Sequence, residues 1–136
     1  METRYGMKVV QACPQEKDGK EGYKVVYEDG YESWSPKDAF EKAYRVNGNL
    51  TIGHVIDAVK YRGKRAARAG WNGSGMFIYY VPAAAYPPAT DIMKEEFGGQ
   101  DVPYREYLAL KTAQGDVATW APSGSDALAE DWYIID

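Results

Sequence analysis

Histidine and cysteine are almost missing from this chain: 136 residues hold one of each, His54 and Cys13. A structural zinc centre draws its four ligands mostly from those two residue types, so no such metal site is expected. A single thiol cannot close an internal disulfide, and a reducing, intracellular setting is the simplest expectation. A Ser–His–Asp or Cys–His centre would have to use His54. That residue stands beside Val55 and Ile56 in a helical pattern, which suits a histidine on a helix surface or edge. Neither a phosphate-loop nor a dinucleotide-binding glycine motif is present. The glycine-rich segment Gly70–Gly75 lacks the lysine and following helix that a phosphate loop needs. No carboxylate pair stands out as acid and base. The chain is therefore expected not to be an enzyme and to carry no cofactor.

Long hydrophobic runs are also lacking. Met1–Val10 contains Glu2, Arg4 and Lys8, so no signal-peptide core is visible, and the uncharged stretch Met76–Thr90 is broken by Pro82, Pro87 and Pro88. Excess positive charge is missing too. The net charge of −4 argues against a sequence-independent DNA binder. No DNA and no membrane are expected as partners.

What remains is globular. Apolar residues make up 45% and charged residues 26%, values that exclude disordered and fibrous classes. Aromatic residues reach 14%, with 12 Tyr, 4 Trp and 3 Phe. Aromatics either fill cores and sheet surfaces or supply interface and base-stacking area.

The pattern predicts an α+β fold, mainly antiparallel sheet with short helices, as one compact chain with a small N-terminal hairpin–helix unit. Tyr5–Ala12 reads as a strand. Tyr23, Val25 and Tyr27 alternate with Lys24, Val26 and Glu28 as a half-buried strand. Asp29-Gly30 signals a hairpin, and Tyr31–Trp34 would be the partner strand. Ser35-Pro36 would then open a helix, with Ser35 as its cap and Ala39, Phe40, Ala43 and Tyr44 as its apolar face. Both halves of the chain are mildly acidic, so charge marks no boundary. Asn47-Gly48-Asn49 does, by composition, dividing a hairpin–helix extension over 1–46 from a second unit over 51–136.

In the second unit Thr51 would cap a helix through Ile52, Val55, Ile56 and Val59, ended by Gly63. Strands are expected at Lys64–Ala69 and Met76–Val81. Pro82–Pro103 reads as long and irregular, with a helical turn near Asp91–Phe97. Tyr107–Thr112 and Val117–Trp120 form a hairpin about Gln114-Gly115-Asp116. Ser125 would cap a helix Asp126–Glu130, and Asp131–Ile135 is a last strand.

Three features could bind a ligand. Lys60, Arg62, Lys64, Arg65 and Arg68 are closely spaced cations with no acid among them. They suit a solvated helix end, and Arg65 and Arg68, if they share a strand face, could meet phosphate oxygens. Trp71-Asn72-Gly73 offers a stacking face and an amide donor and acceptor, or alternatively a tight turn with Trp71 in the core. Trp120–Asp126 combines an aromatic, the hydroxyls of Ser123 and Ser125, and a helix N-terminus. That suits an anion or ribose, or ordinary capping by Ser125. Together they suit a nucleotide-like ligand.

At these residues the chain resembles the phage Thoeris anti-defence two family. The resemblance rests on Lys64–Gly73, Gly75–Tyr79, Leu110–Asp116, Trp120, Ser125-Asp126 and Leu128–Trp132, in that order, and covers about residues 51–136. It implies a non-catalytic sponge that binds cyclic ADP-ribose isomers made from NAD by TIR-domain immune proteins, in the cytoplasm of the infected bacterial host. It further implies a homotetramer with pockets between subunits, with cyclic dinucleotides as ligands of some members. The ligand-binding residues expected, from the three features read together with the resemblance, are Arg68, Trp71, Asn72, Phe77, Trp120, Ser123, Ser125 and Asp126. The N-terminal unit and the Pro82–Pro103 segment depart from the short members. A different class of function, a protein-interaction module that contacts a host factor through its aromatic surface, is the alternative.

Overall fold

The computed structural model describes all 136 residues, which divide into two compact units, Met1–Asn47 and Gly48–Asp136. Strands dominate both, every strand pairing is antiparallel, and the helices are short. No helix is long and apolar enough to cross a membrane.

The first unit is a three-stranded sheet, β1 (Gln11–Pro14), β2 (Gly22–Val26) and β3 (Glu32–Pro36), in that spatial order, followed by α1 (Lys37–Ala43). The Asp29-Gly30 hairpin forms as its residues demand. Gly30 takes a φ of +89°, and the Tyr31 N–H bonds the Asp29 carboxylate at 3.0 Å. Val25 is buried, and Tyr23 stacks on Phe40 of α1 at 4.4 Å between ring centroids. Two expectations shift. The strand foreseen at Tyr5–Ala12 begins only at Gln11, because residues 1–10 have no pairing partner in the sheet. The helix starts at Lys37, one residue later than the Ser35-Pro36 signal implies, because both residues are still paired with β2 as part of β3.

In the second unit α2 (Ile52–Ile56) runs on into a π-helical turn, Asp57–Tyr61. Thr51 and His54 close the N-terminus of α2. The Thr51 N–H donates to His54 Nδ1 at 3.2 Å, and the threonine hydroxyl lies 2.8 Å from the same nitrogen. Val55 and Val59 face inward, and the wider turn also buries Ala58 beside Val59. Gly63, at φ +66°, reverses the chain into β4 (Arg65–Arg68). The strands β5 (Phe77–Val81), β8 (Tyr107–Lys111), β9 (Val117–Trp120) and β10 (Trp132–Ile135) complete a five-stranded sheet ordered β10-β4-β5-β8-β9.

Between β5 and β8 the chain is more regular than foreseen. β6 (Ala84–Tyr86) and β7 (Val102–Tyr104) pair as a two-stranded ribbon, and α3 (Asp91–Glu96) lies between them. Thr90 caps α3 through the Met93 N–H. The last helix, α4, spans Gly124–Leu128.

One face of the large sheet carries the core. Ala66 and Ile78 sit opposite each other in register, both fully buried, and pack with Val55, Val59, Leu50 and Trp132. Side chains alternate across a strand, so Phe77, Tyr79 and Lys111 belong to the other face.

Candidate functional site

Three indoles meet at one end of the core. Trp132 is fully buried, and Trp71 and Trp120 pack against it edge-on, with ring centroids 5.3 and 6.0 Å away. Trp71 and Trp120 also meet edge-on, at 6.5 Å. Such T-shaped contacts place the positive ring edge on a negative face. Trp132 comes from β10, Trp120 from the end of β9, and Trp71 from the turn after β4. Both Trp71 and Trp120 stay half-buried.

Asp126 ties this cluster together. Its Oδ1 accepts from Arg68 Nη1 at 2.8 Å and from Trp71 Nε1 at 3.1 Å. Its backbone carbonyl accepts from Trp132 Nε1 at 3.0 Å. Its backbone N–H donates to Ser123 Oγ at 3.1 Å, and its Oδ2 accepts from the Ser123 N–H at 3.4 Å. Those last two bonds form a reciprocal cap at the start of α4. Ser123 is therefore the capping residue, and Ser125, expected in that role, lies exposed within the first turn. The helix begins two residues earlier than foreseen because Ser123, not Ser125, has the extended backbone a cap requires.

Arg68 bridges two carboxylates. Beyond Asp126, its Nε donates to Asp131 Oδ1 at 2.8 Å, and Asp131 Oδ2 accepts the Gly70 N–H at 2.8 Å. Glycine suits position 70, since a Cβ would lie 2.9 Å from that carboxylate oxygen. Burial pushes the Asp126 carboxyl up, but the bonds from Arg68, Trp71 and Ser123 outweigh it and hold it below the usual carboxylate range. The Arg68 guanidinium holds Asp131 low against a smaller opposing effect of burial, with help from the Gly70 N–H. The two carboxylates in turn raise Arg68 above its ordinary value, Asp131 first.

Of the eight residues expected to bind a ligand, Arg68, Trp71, Trp120, Ser123 and Asp126 are brought into this constellation. Asn72 and Ser125 are exposed beside it in sequence, next to Trp71 and Asp126. Phe77 is not part of it. Phe77 lies on the other sheet face, in register with Lys111, beneath the guanidinium of Arg65 at 5.0 Å. Nor do Arg65 and Arg68 share a face. Three residues apart on one strand they must oppose, and Arg68 sits in register with Trp132 on the core side. Asp131 and Trp132 were expected to open the last strand and not to form part of the site. Their role depends on pairing β10 with β4, a contact between segments more than sixty residues apart.

Residues 50–135 match a family described as Tad2-like, the Thoeris anti-defense 2-like domain. The chain belongs to that family. A relative named Thoeris anti-defense 2, from Bacillus phage SP01, is 30% identical over 86 residues, which is 63% of this chain and 94% of that protein. The matched residues coincide closely with the second unit and contain the indole cluster, Arg68, Asp126 and the β6–α3–β7 segment. The first unit lies outside the family domain.

Proposed function

We propose that the protein is a phage anti-defence protein that binds cyclic ADP-ribose-type signals of the Thoeris system and sequesters them intact, in the cytoplasm of the infected cell. The observation that carries this reading is the indole cluster with Asp126 at its hub, inside a domain whose relative is named for Thoeris anti-defense. Trp71 is fixed on one edge by Trp132 and through its Nε1 by Asp126, yet remains half-buried, so it is an oriented stacking platform. Stacking of a base on such a ring is worth roughly 1–3 kcal/mol. Asn72 and Ser125, exposed beside it, supply amide and hydroxyl groups for base edges or ribose.

Arg68 acts here as a positioning residue, since its guanidinium is held by two carboxylates of the same chain. The carboxylates are likewise held by hydrogen bonds below the usual range, which makes them poor general bases. That chemistry supports a reading of binding without turnover. A sponge consumes one site per ligand, so it works only if it binds below the level that activates the effector. For a micromolar threshold a useful affinity is on the order of nanomolar, or about −12 kcal/mol. A shallow patch rarely reaches that, because ordering the ligand costs several kcal/mol. A pocket completed between subunits of a homotetramer would enclose more of the ligand, and cyclic dinucleotides are a second ligand class for it.

Calorimetric titration with cyclic ADP-ribose isomers tests the site. Asn72→Ala and Trp71→Phe should each weaken binding by about tenfold or more while the thermal melt stays within a few degrees. Unchanged affinity in both folded variants would remove the ligand from this constellation. Light scattering should give a mass of four chains, and a monomer at micromolar concentration contradicts the proposed assembly.

A further inference from the structure

The first unit, outside the family domain, has a groove of its own. It measures about 470 Å³ and is lined by Lys8, Val9, Tyr27, Glu28, Asp29 and Tyr31. Its walls are aromatic. The rings of Tyr27 and Tyr31 meet at a tilt, with centroids 5.8 Å apart. The Tyr27 hydroxyl accepts from Ser33 Oγ at 3.4 Å, which fixes that ring, while Tyr31 stands 65% exposed. The rim is acidic, since Glu28 and Asp29 occupy the hairpin turn between the two tyrosines. Asp29 Oδ1 accepts the Tyr31 N–H at 3.0 Å, which leaves Oδ2 for another donor.

A cation already sits in this groove. Lys8 Nζ lies 5.1 Å from the centroid of Tyr27, where the negative ring face attracts an ammonium. Lys8 arrives on an unpaired length of chain. The antiparallel register of β1 and β2 begins at Gln11 opposite Val26. Continued backward, it would set Val10 opposite Tyr27 and Lys8 opposite Asp29, yet residues 1–10 form no strand. Tyr5, Met7 and Val9 of this segment are exposed, so little burial holds it in place.

We propose that this groove binds the side-chain ammonium of a lysine carried on an extended segment of a partner protein, which takes the place of Lys8. Lys8 displays the chemistry of the occupant: an ammonium over an aromatic face, beside carboxylates. The track it follows suits an extended peptide, whose backbone can lie along the end of β2 where residues 8–10 now lie. A free small cation would gain the ring and the rim but not the track. The site lies wholly within the first unit and uses none of the indole cluster.

The full chain carrying Lys8→Ala, with its tyrosine rings isotope-labelled, is titrated with a blocked peptide of the sequence Tyr5–Val10 and followed by NMR. Thermal melts show that each variant is folded. Saturable shifts are expected at the rings of Tyr27 and Tyr31. The natural chain should bind the peptide several-fold more weakly, because its tethered Lys8 competes. In the Lys8→Ala background, Tyr31→Leu should weaken binding by about fivefold and Tyr31→Phe should not, since leucine has no ring face. Asp29→Asn keeps a favoured Asn-Gly turn and should bind several-fold more weakly. The peptide with norleucine in place of lysine should not bind. No saturable shift, equal binding of the norleucine peptide, equal binding by the natural chain, or equal losses in Tyr31→Leu and Tyr31→Phe each overturns the proposal. Tetramethylammonium binding as tightly as the peptide would overturn it too, giving the groove to a small ammonium ligand.

Discussion

Arg65 and Arg68, three residues apart on one strand, serve opposite faces of the same sheet. Arg65 covers Phe77 at 5.0 Å, while Arg68 lies in register with Trp132 and binds Asp126 and Asp131. Their mutational effects should therefore differ. The side chain of Arg68 is 19% exposed and that of Asp126 is 15% exposed, so removing the cation strands a shielded carboxylate. Arg68→Ala should cost about 2 kcal/mol in urea unfolding, on the scale of hydrogen bonds to charged groups. Arg65→Ala should cost well under half of that. Equal losses would mean that the Arg68 bridge contributes nothing special.

Acid should loosen the same bridge. Asp126 and Asp131 are both held below the usual carboxylate range in the folded protein. A lowered folded value means the unfolded chain binds protons first. The stabilisation is then fully present above the unfolded value, about 3.9, and is lost as pH falls through the lower folded values. Stability of the natural protein should drop steeply below about pH 4. Arg68→Gln should flatten that drop. Urea midpoints measured from pH 2 to 7 check both, and an unchanged slope in the variant excludes this linkage.

The cap of α4 gives a finer test. Ser123 Oγ accepts the Asp126 N–H, and Ser125 has an exposed place in the first turn. Ser123→Ala should destabilise by about 1 kcal/mol, the usual cost of a lost cap. Ser125→Ala should leave stability nearly unchanged while lowering affinity for the signal. Differential scanning calorimetry with and without ligand separates the two effects. The reverse order of stabilities would restore Ser125 as the cap.

Local signals carried the fold a long way. The hairpins at Asp29-Gly30 and Gln114-Gly115-Asp116 were legible because a turn needs its glycine at positive φ, and Gly30 and Gly115 sit at +89° and +95°. The run Ile52, Val55, Val59 was legible because helical spacing marks a buried face. The ribbon of β6 and β7 was hidden, since each strand has three residues and one of them contains Pro103, which reads as a breaker. The opposition of Arg65 and Arg68 was implicit in strand alternation, but only once Lys64–Ala69 is taken as a strand with a definite phase. The Arg68–Asp126 pair could not be read locally, because 58 residues separate its partners and only the folding of the sheet joins them.

The first unit makes its own prediction. A Cβ at Gly22 would overlap the Ser35 carbonyl oxygen and the indole of Trp34, whose Nε1 is already bonded to the Gln15 carbonyl at 2.8 Å. Gly22→Ala should cost roughly 1–3 kcal/mol through overpacking, enough to expose a small unit to protease. Limited proteolysis should then cut within residues 1–47 and leave 48–136 intact, with signal binding retained. Loss of binding in that variant would assign the first unit a part in the site.

Recovery of the bound ligand decides between sequestration and turnover. The protein is loaded with a cyclic ADP-ribose isomer, washed free of excess, heated to unfold it, and the released material is separated by chromatography. The cyclic ligand should return intact, in an amount matching the sites titrated. A linear ADP-ribose product would make the protein an enzyme, and an empty eluate would mean that it never captured the signal.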